Sequence, residues 1–422
     1  MKIEITGGRL FDPARQLDRV ADLFIEDGRI LAIGERPAGF QAERQIEAKG
    51  RLVMPGIVDL WAISRSEQRA RLATEARAAL QGGVTTFCCP PDSGPINDSG
   101  SVTSLMRDLA REIGLARVYP IGALTQGLAG EQLSEMSGLK EAGCRLLSNM
   151  RRPVKNNRIL RRCLEYARTQ DITVVFCPQD HSLAADGAVH EGFTGARLGL
   201  AGVPSLAETI AVSQLLLMVE DTGVRAHFSQ LSTARAVAMI AEAQRNGLPV
   251  TADVAIHHLL WTDAVVEGFD SRYHLCPPLR TEADREALRQ GVRDGVIQAI
   301  CSQHQPRESA AKLAPFAETE PGMVSLETLL PLSLQLVTDG VLSLAQAVGA
   351  LTAGPAQVLG VDLGRLEIGA AADLCVVDTE ERWEVTESSL ASACKNTALL
   401  GQPLQGRVRQ TLVAGRILFE AS

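Results

Sequence analysis

Both ends of the chain carry short bursts of alternating apolar and polar positions. Residues 2–6 (KIEIT), 22–26 (DLFIE) and 29–33 (RILAI) read as short strands separated by glycine-containing turns. The C-terminal end returns to the same style in 373–378 (DLCVVD), 407–415 (RVRQTLVAG) and 416–420 (RILFE). The middle follows another rhythm, in which strand-like runs alternate with helical periods. The strands are 84–90, 117–123, 172–178, 225–230, 248–255 and 295–302, with helices near 101–114, 131–142 and 232–246. The charged run 66–81 (SEQRARLATEARAALQ) has the period of a solvated amphipathic helix.

Alternation of strand and helix over about 300 residues means a parallel sheet with crossover helices, and a closed barrel fits that length. The expected fold is α/β: a TIM-like (β/α)8 barrel over 53–355. Short strands at either end cannot make a stable sheet alone. Residues 1–52 and 356–422 are therefore expected to combine into one small composite β-sandwich domain.

Composition adds exclusions. Of 422 residues, 45% are apolar and 22% charged, an ordinary globular balance with room for a large core. The net charge of -8, without a basic run, argues against nucleic acid as a partner. No stretch of about 18 apolar residues exists to span a membrane. The start, MKIEITGGRLFD, reads as a strand rather than a signal peptide. Nine cysteines lack paired spacing, and only Cys88 and Cys89 are adjacent. Free thiols in a reducing cytoplasm are expected.

The chemistry is carried by landmarks from Val53 onward: MPGIVDL (54–60), GGVTT (82–86), GALTQGLAG (122–130), AGCRLLSN (142–149), LST (231–233), HHL (257–259), PPLR (277–280), GMVSLET (322–328), LTAGPAQVLG (351–360), GAAADLCVVD (369–378) and KNTALLGQPLQG (395–406). With these the chain resembles the dihydroorotase branch of the amidohydrolase superfamily over nearly its whole length. The resemblance implies reversible amide hydrolysis that closes carbamoyl aspartate into dihydroorotate. Such chemistry uses zinc to lower the pKa of bound water from about 15.7 to about 7. It also needs ligands at the C-terminal ends of barrel strands and a carboxylate to move the proton.

Position by position, those groups are replaced. The family's His-x-His on the first strand falls on Trp61 and Ile63, which cannot ligate a metal. Its Asp-Asp-Gly falls on Asn149, Met150 and Arg151. A histidine ligand becomes Cys177, and in His-x-x-His the first histidine survives as His227 while the ligand becomes Gln230. The catalytic aspartate becomes Gln303, which takes no proton at neutral pH. On the substrate side an asparagine becomes Pro91 and another Cys276; Arg65 alone matches, at the family's carboxylate-binding arginine, a possible vestigial anion contact. No catalytic, cofactor or metal residue is expected, and no zinc.

The remaining candidates have bland readings. His257 and His258 are expected to be structural, as the resemblance implies, and His304 has lost the acid beside it. Cys89, Cys177, Cys276 and Cys301 lie near strand ends, where a thiolate zinc site is conceivable, but buried cysteine is usually a small core residue. More closely, the chain resembles the non-catalytic dihydroorotase-like chains that accompany bacterial aspartate carbamoyltransferase. This implies a pseudoenzyme that holds the carbamoyltransferase catalytic chains in a hetero-oligomer, expected as a dodecamer, and that self-associates as a dimer. The alternatives are a cyclic-amide hydrolase with altered, non-zinc or thiolate-based chemistry, or a scaffold for another partner.

Overall fold

A computed structural model describes residues 1–64, 69–92, 94–154 and 156–421, with only the backbone of Arg69. Its centre is a barrel of eight parallel strands. In chain order they are Ile57–Asp59, Val84–Cys89, Arg117–Pro120 continuing as Gly122–Ala123, Leu146–Ser148, Thr173–Phe176, Ala226–Phe228, Val250–Ala255 and Ala299–Cys301. Each pairs in parallel with the next. Between the last and the first, Ala62 bridges His304, and Ile63 N–H donates to His304 O at 2.9 Å. Asp59 pins that seam, accepting Ser302 N–H at 2.9 Å and the Ser302 hydroxyl. Val84–Cys89 is covered on both faces and buried at every position, its two threonines included.

Strands from both chain ends share one eight-stranded sheet. Leu52–Pro55 runs antiparallel to Leu374–Val377, joining the N-terminal strands to Leu374–Glu384, Pro403–Val413 and Arg416–Glu420. Successive strand residues face opposite sides. Val53, Leu374 and Val376 therefore enter a core with Ile3, Leu23 and Leu412, while Leu52, Met54, Cys375 and Val377 join the core around the barrel. The first of these cores gathers residues from both ends of the sheet, and Arg29 bridges Ala371 across it. The single sheet is thus folded over into a sandwich.

The helical run expected over 66–81 is found as Arg69–Gln81; residues 65–68 lie outside the described residues. The helix expected near 131–142 shrinks to Met136–Glu141, because a 3-10 turn at Gln126–Leu128 and left-handed Gly130 occupy the approach to it. Helices Asn157–Thr169 and Ser205–Thr222 and the strand Leu146–Ser148 were not foreseen.

Candidate functional site: the C-terminal mouth of the barrel

Trp61 follows the first strand and is 5% exposed. Its indole packs with Cys177, Ala255 and Cys301, and half-buried Met150 closes the cluster. These neighbours come from the fourth, fifth, seventh and eighth strands. Trp61 therefore reaches across the barrel mouth as a plug. Ile63 is half-buried beside the seam.

Around this plug the other replaced positions bond to one another. Gln303 Nε2 donates to Gln230 Oε1 at 2.8 Å and to Cys276 O at 2.7 Å. Arg151 Nη2 donates to the same Gln230 oxygen at 2.7 Å. Asn149 accepts the Thr125 hydroxyl at 2.6 Å and donates to Arg152 O at 3.0 Å. Trp61 Nε1, Gln230 Nε2 and Gln303 Oε1 are buried without a hydrogen-bond partner among the described residues. Each such group costs about 1–3 kcal/mol. Met150, Gln230 and Gln303 all hold left-handed backbone, with φ of 57°, 59° and 51°. Non-glycine residues pay for that conformation, and such strain gathers at functional sites.

These residues do not fit a zinc centre. Among Trp61, Ile63, Asn149, Met150, Cys177, Gln230 and Gln303, only Cys177 carries a strong zinc ligand. Burial pushes its thiol up to about 12, which keeps it protonated. Burial, with Asp253 beside it, also pushes the Cys301 thiol well above the usual thiol range. Among the described residues, no group of three or more His, Cys, Asp or Glu side chains could hold a metal ion. Arg65 lies outside the described residues.

The surviving histidines are tied into the frame. His227 Nε2 meets Asp253 Oδ2 at 2.8 Å and Nδ1 meets the Thr251 hydroxyl at 2.8 Å. His304 differs from its sequence reading, because it has an acid partner: Nε2 lies 2.9 Å from Glu75 on the Arg69–Gln81 helix. Its Nδ1 accepts Ser325 N–H at 3.1 Å, so the ring is neutral, donates from Nε2 and is wholly buried. His257 stacks on Trp261 at 5.7 Å between centroids, and burial lowers its pKa to about 3. His258 Nε2 donates to Pro277 O at 3.2 Å, and burial lowers its pKa to about 4.

Sequence reasoning missed the buried acids. Asp253 accepts Ser229 Oγ at 2.9 Å and Gln230 N–H at 2.6 Å, besides its contact with His227. A lone acid inside the apolar strand TADVA was the available signal. The landmark PPLR is explained by Arg280, whose buried guanidinium binds His190 Nδ1 at 3.1 Å, Ser232 Oγ at 3.2 Å and Val203 O at 2.5 Å. In KNT, Asn396 donates to Gln305 O and Gly322 O, each at 3.1 Å. A cavity of about 270 Å³ remains beside the plug. Cys177 and Arg151 line it together with Leu160 and Leu215 from helices outside the strand ring.

Comparison with known proteins gives this arrangement a lineage. A family model described as dihydro-orotase-like matches residues 50–236, and one for the amidohydrolase family matches 334–419. The chain is 50% identical to a "Dihydroorotase-like protein" of Pseudomonas aeruginosa, covering 100% of both chains. The chain belongs to the dihydroorotase-like family. It is also 42% identical to a protein of Anaeromyxobacter dehalogenans named "Dihydroorotase", over 99% of this chain and 97% of that one. Among solved structures, L-hydantoinase from Arthrobacter aurescens superposes with a TM-score of 0.88 at 23% identity, over 99% of this chain and 96% of that one. That likeness, in an amidohydrolase barrel with an added sheet, confirms the α/β fold class. No helix among the described residues is long and apolar enough to cross a membrane.

Proposed function

We propose that this chain is a dihydroorotase-like pseudoenzyme of pyrimidine biosynthesis that serves as the scaffold of aspartate carbamoyltransferase. The observation that carries the reading is the Trp61 plug. An indole packed against Cys177, Ala255 and Cys301 takes the position that the family's first metal-binding histidine holds, and it offers no ligand there. The glutamines at 230 and 303 are neutral, so neither can act as a general base. His304 has both ring nitrogens engaged, and the buried thiol of Cys177 stays protonated. Strained backbone at Met150, Gln230 and Gln303 supports descent from a working site, because such strain gathers at functional sites. Fold and site are separable, so a barrel that has lost its chemistry can keep its surfaces.

The test is carbamoyltransferase activity of the catalytic chain from the same organism, expressed with and without this protein, together with the size of each species. Activity or assembly that requires this protein is expected. A catalytic chain that is indifferent and never co-elutes overturns the partner. Dihydroorotate hydrolysis at an ordinary enzymatic rate would overturn the pseudoenzyme. The double substitution Trp61→His/Ile63→His restores two imidazoles but no carboxylate or third histidine. It is expected to retain far less than one zinc per chain after gel filtration.

A further inference from the structure

The helix Ser205–Thr222 has two apolar faces. Ala207, Ala211, Val212 and Val219 are buried against the barrel side, with Leu215, Leu216 and Met218 half-buried beside them. The opposite face carries Leu206, Ile210 and Leu217, which are 52%, 40% and 65% exposed, with exposed Ser213 between them. Steps of four, three and four residues keep these positions on one stripe. One apolar face is accounted for by the barrel, and the second is left open on the outside of the helix, flanked by exposed Gln214 and half-buried Thr209.

The stripe reads alike in both directions. A second copy laid antiparallel, centred between Ala211 and Val212, sets Leu206 opposite Leu217 and Ile210 opposite Ser213. Large side chains then meet small ones at the centre, and leucine meets leucine at each end. Self-complementarity of this kind is what a twofold interface requires. Charge selects the same arrangement. The helix starts at Pro204 with no side-chain cap and ends in Glu220 and Asp221 with no basic residue in its last turn. Antiparallel packing brings exposed Glu220 to the positive N-terminal end of the other copy, whereas parallel packing sets acid against acid.

We propose that the Leu206–Ile210–Leu217 stripe is the self-association surface of this protein, pairing antiparallel with its copy about a twofold axis. The inference does not rest on the carbamoyltransferase reading, because its test uses this chain alone. A helix of this length offers a stripe of about 27 by 10 Å, a small contact, so a reversible dimer in the micromolar range is expected.

Sedimentation velocity of the full chain over a range of concentrations tests it. Leu206→Arg and Leu217→Glu, each alone, are expected to raise the dimer dissociation constant at least tenfold without moving the thermal melt of the dilute monomer, in which both sites face solvent. The double variant Leu206→Arg/Leu217→Glu is expected to recover most of the affinity. The pairing sets each new arginine against a new glutamate across the interface, and the two lie too far apart on one helix to neutralise each other. A wild-type chain that stays monomeric at about 100 μM overturns the proposal. So do single variants that dimerise unchanged, or a double variant that fails to recover, as a stripe built for a different protein would.

Discussion

At the scale of single residues, the barrel mouth pairs one bulky replacement with a set of neutral ones. Trp61 supplies the volume, and Gln230 and Gln303 supply a short hydrogen-bonded link that leaves one polar atom of each unmatched. Just outside it lie histidines that must be neutral for the chain to fold. Burial lowers His257 to about 3, His258 to about 4 and His274 to about 4. In the unfolded chain each takes up a proton near pH 6.5. Between there and about pH 4 the unfolded state therefore binds more protons, so stability falls as the solution is acidified. Each histidine contributes up to ~1.4 kcal/mol per pH unit in that window. Asp59 works the other way: burial raises it to about 6, so the native state is the one that gains a proton below that pH. Burial also raises Asp92 and Glu327. His258 carries the test because Pro277 O is its hydrogen-bond acceptor. His258→Gln is expected to flatten the rise of urea-unfolding free energy between pH 4.5 and 6.5 by about 1 kcal/mol per unit. An unchanged slope would show that this ring is not the neutral, buried group described.

At the scale of elements, the Ser205–Thr222 helix is held by one carboxylate. Glu208 accepts Ser232 N–H at 3.1 Å, Thr233 N–H at 2.9 Å and the Thr233 hydroxyl at 2.7 Å, and it also binds the Ser232 hydroxyl. This explains the landmark LST at 231–233, since its hydroxyls and amides form the seat for that acid. Glu208→Ala strands all of these donors in a buried site and is expected to cost about 3–5 kcal/mol, read by urea denaturation. A loss under about 1 kcal/mol would mean the seat is wet. The same helix marks the limit of what the sequence could tell. Apolar residues on two opposite faces, with the buried acid Glu208 between them, leave no single apolar stripe for periodicity to mark. The strand Leu146–Ser148 is only three residues long and left little pattern to read. Val84–Cys89 and Val250–Ala255 were legible because they are six residues long and rich in β-branched and apolar residues. At the mouth, the resemblance to the dihydroorotase family located Trp61, Gln230 and Gln303. It could not reveal Glu75 as the partner of His304, because 229 residues separate them and only the fold brings them together.

At the scale of the whole molecule, the sheet and the barrel share a core rather than a boundary. Leu52–Pro55 and Leu374–Val377 send alternate side chains into the sheet's own core and into the core around the barrel. Further ties cross the same seam. The Thr411 hydroxyl donates to Leu80 O at 2.7 Å, and Arg117 reaches Asp373 with bonds of 2.7 and 3.1 Å. Gly83, at φ 79°, leaves room for Cys375 and Val408, whose side chains would lie 3.3 Å from an added Cβ. An element buried on both sides cannot leave one core without exposing the other. The two parts should therefore unfold together although the sequence places them apart. The tryptophans allow a direct check. Trp61 and Trp261 belong to the barrel, while Trp383 lies in the sheet and donates to Gly406 O at 3.1 Å. In a Trp383→Phe chain, fluorescence reports the barrel alone, while near-ultraviolet circular dichroism of a Trp61→Phe/Trp261→Phe chain is dominated by the sheet's tryptophan. Each variant has its own stability, so the comparison is made within a chain, against its far-ultraviolet signal. Coincident urea transitions in both chains are expected, as for one cooperative unit. A barrel signal that outlasts the loss of sheet structure would mean the sheet's strands can be peeled away, and the barrel would then be the independent folding unit.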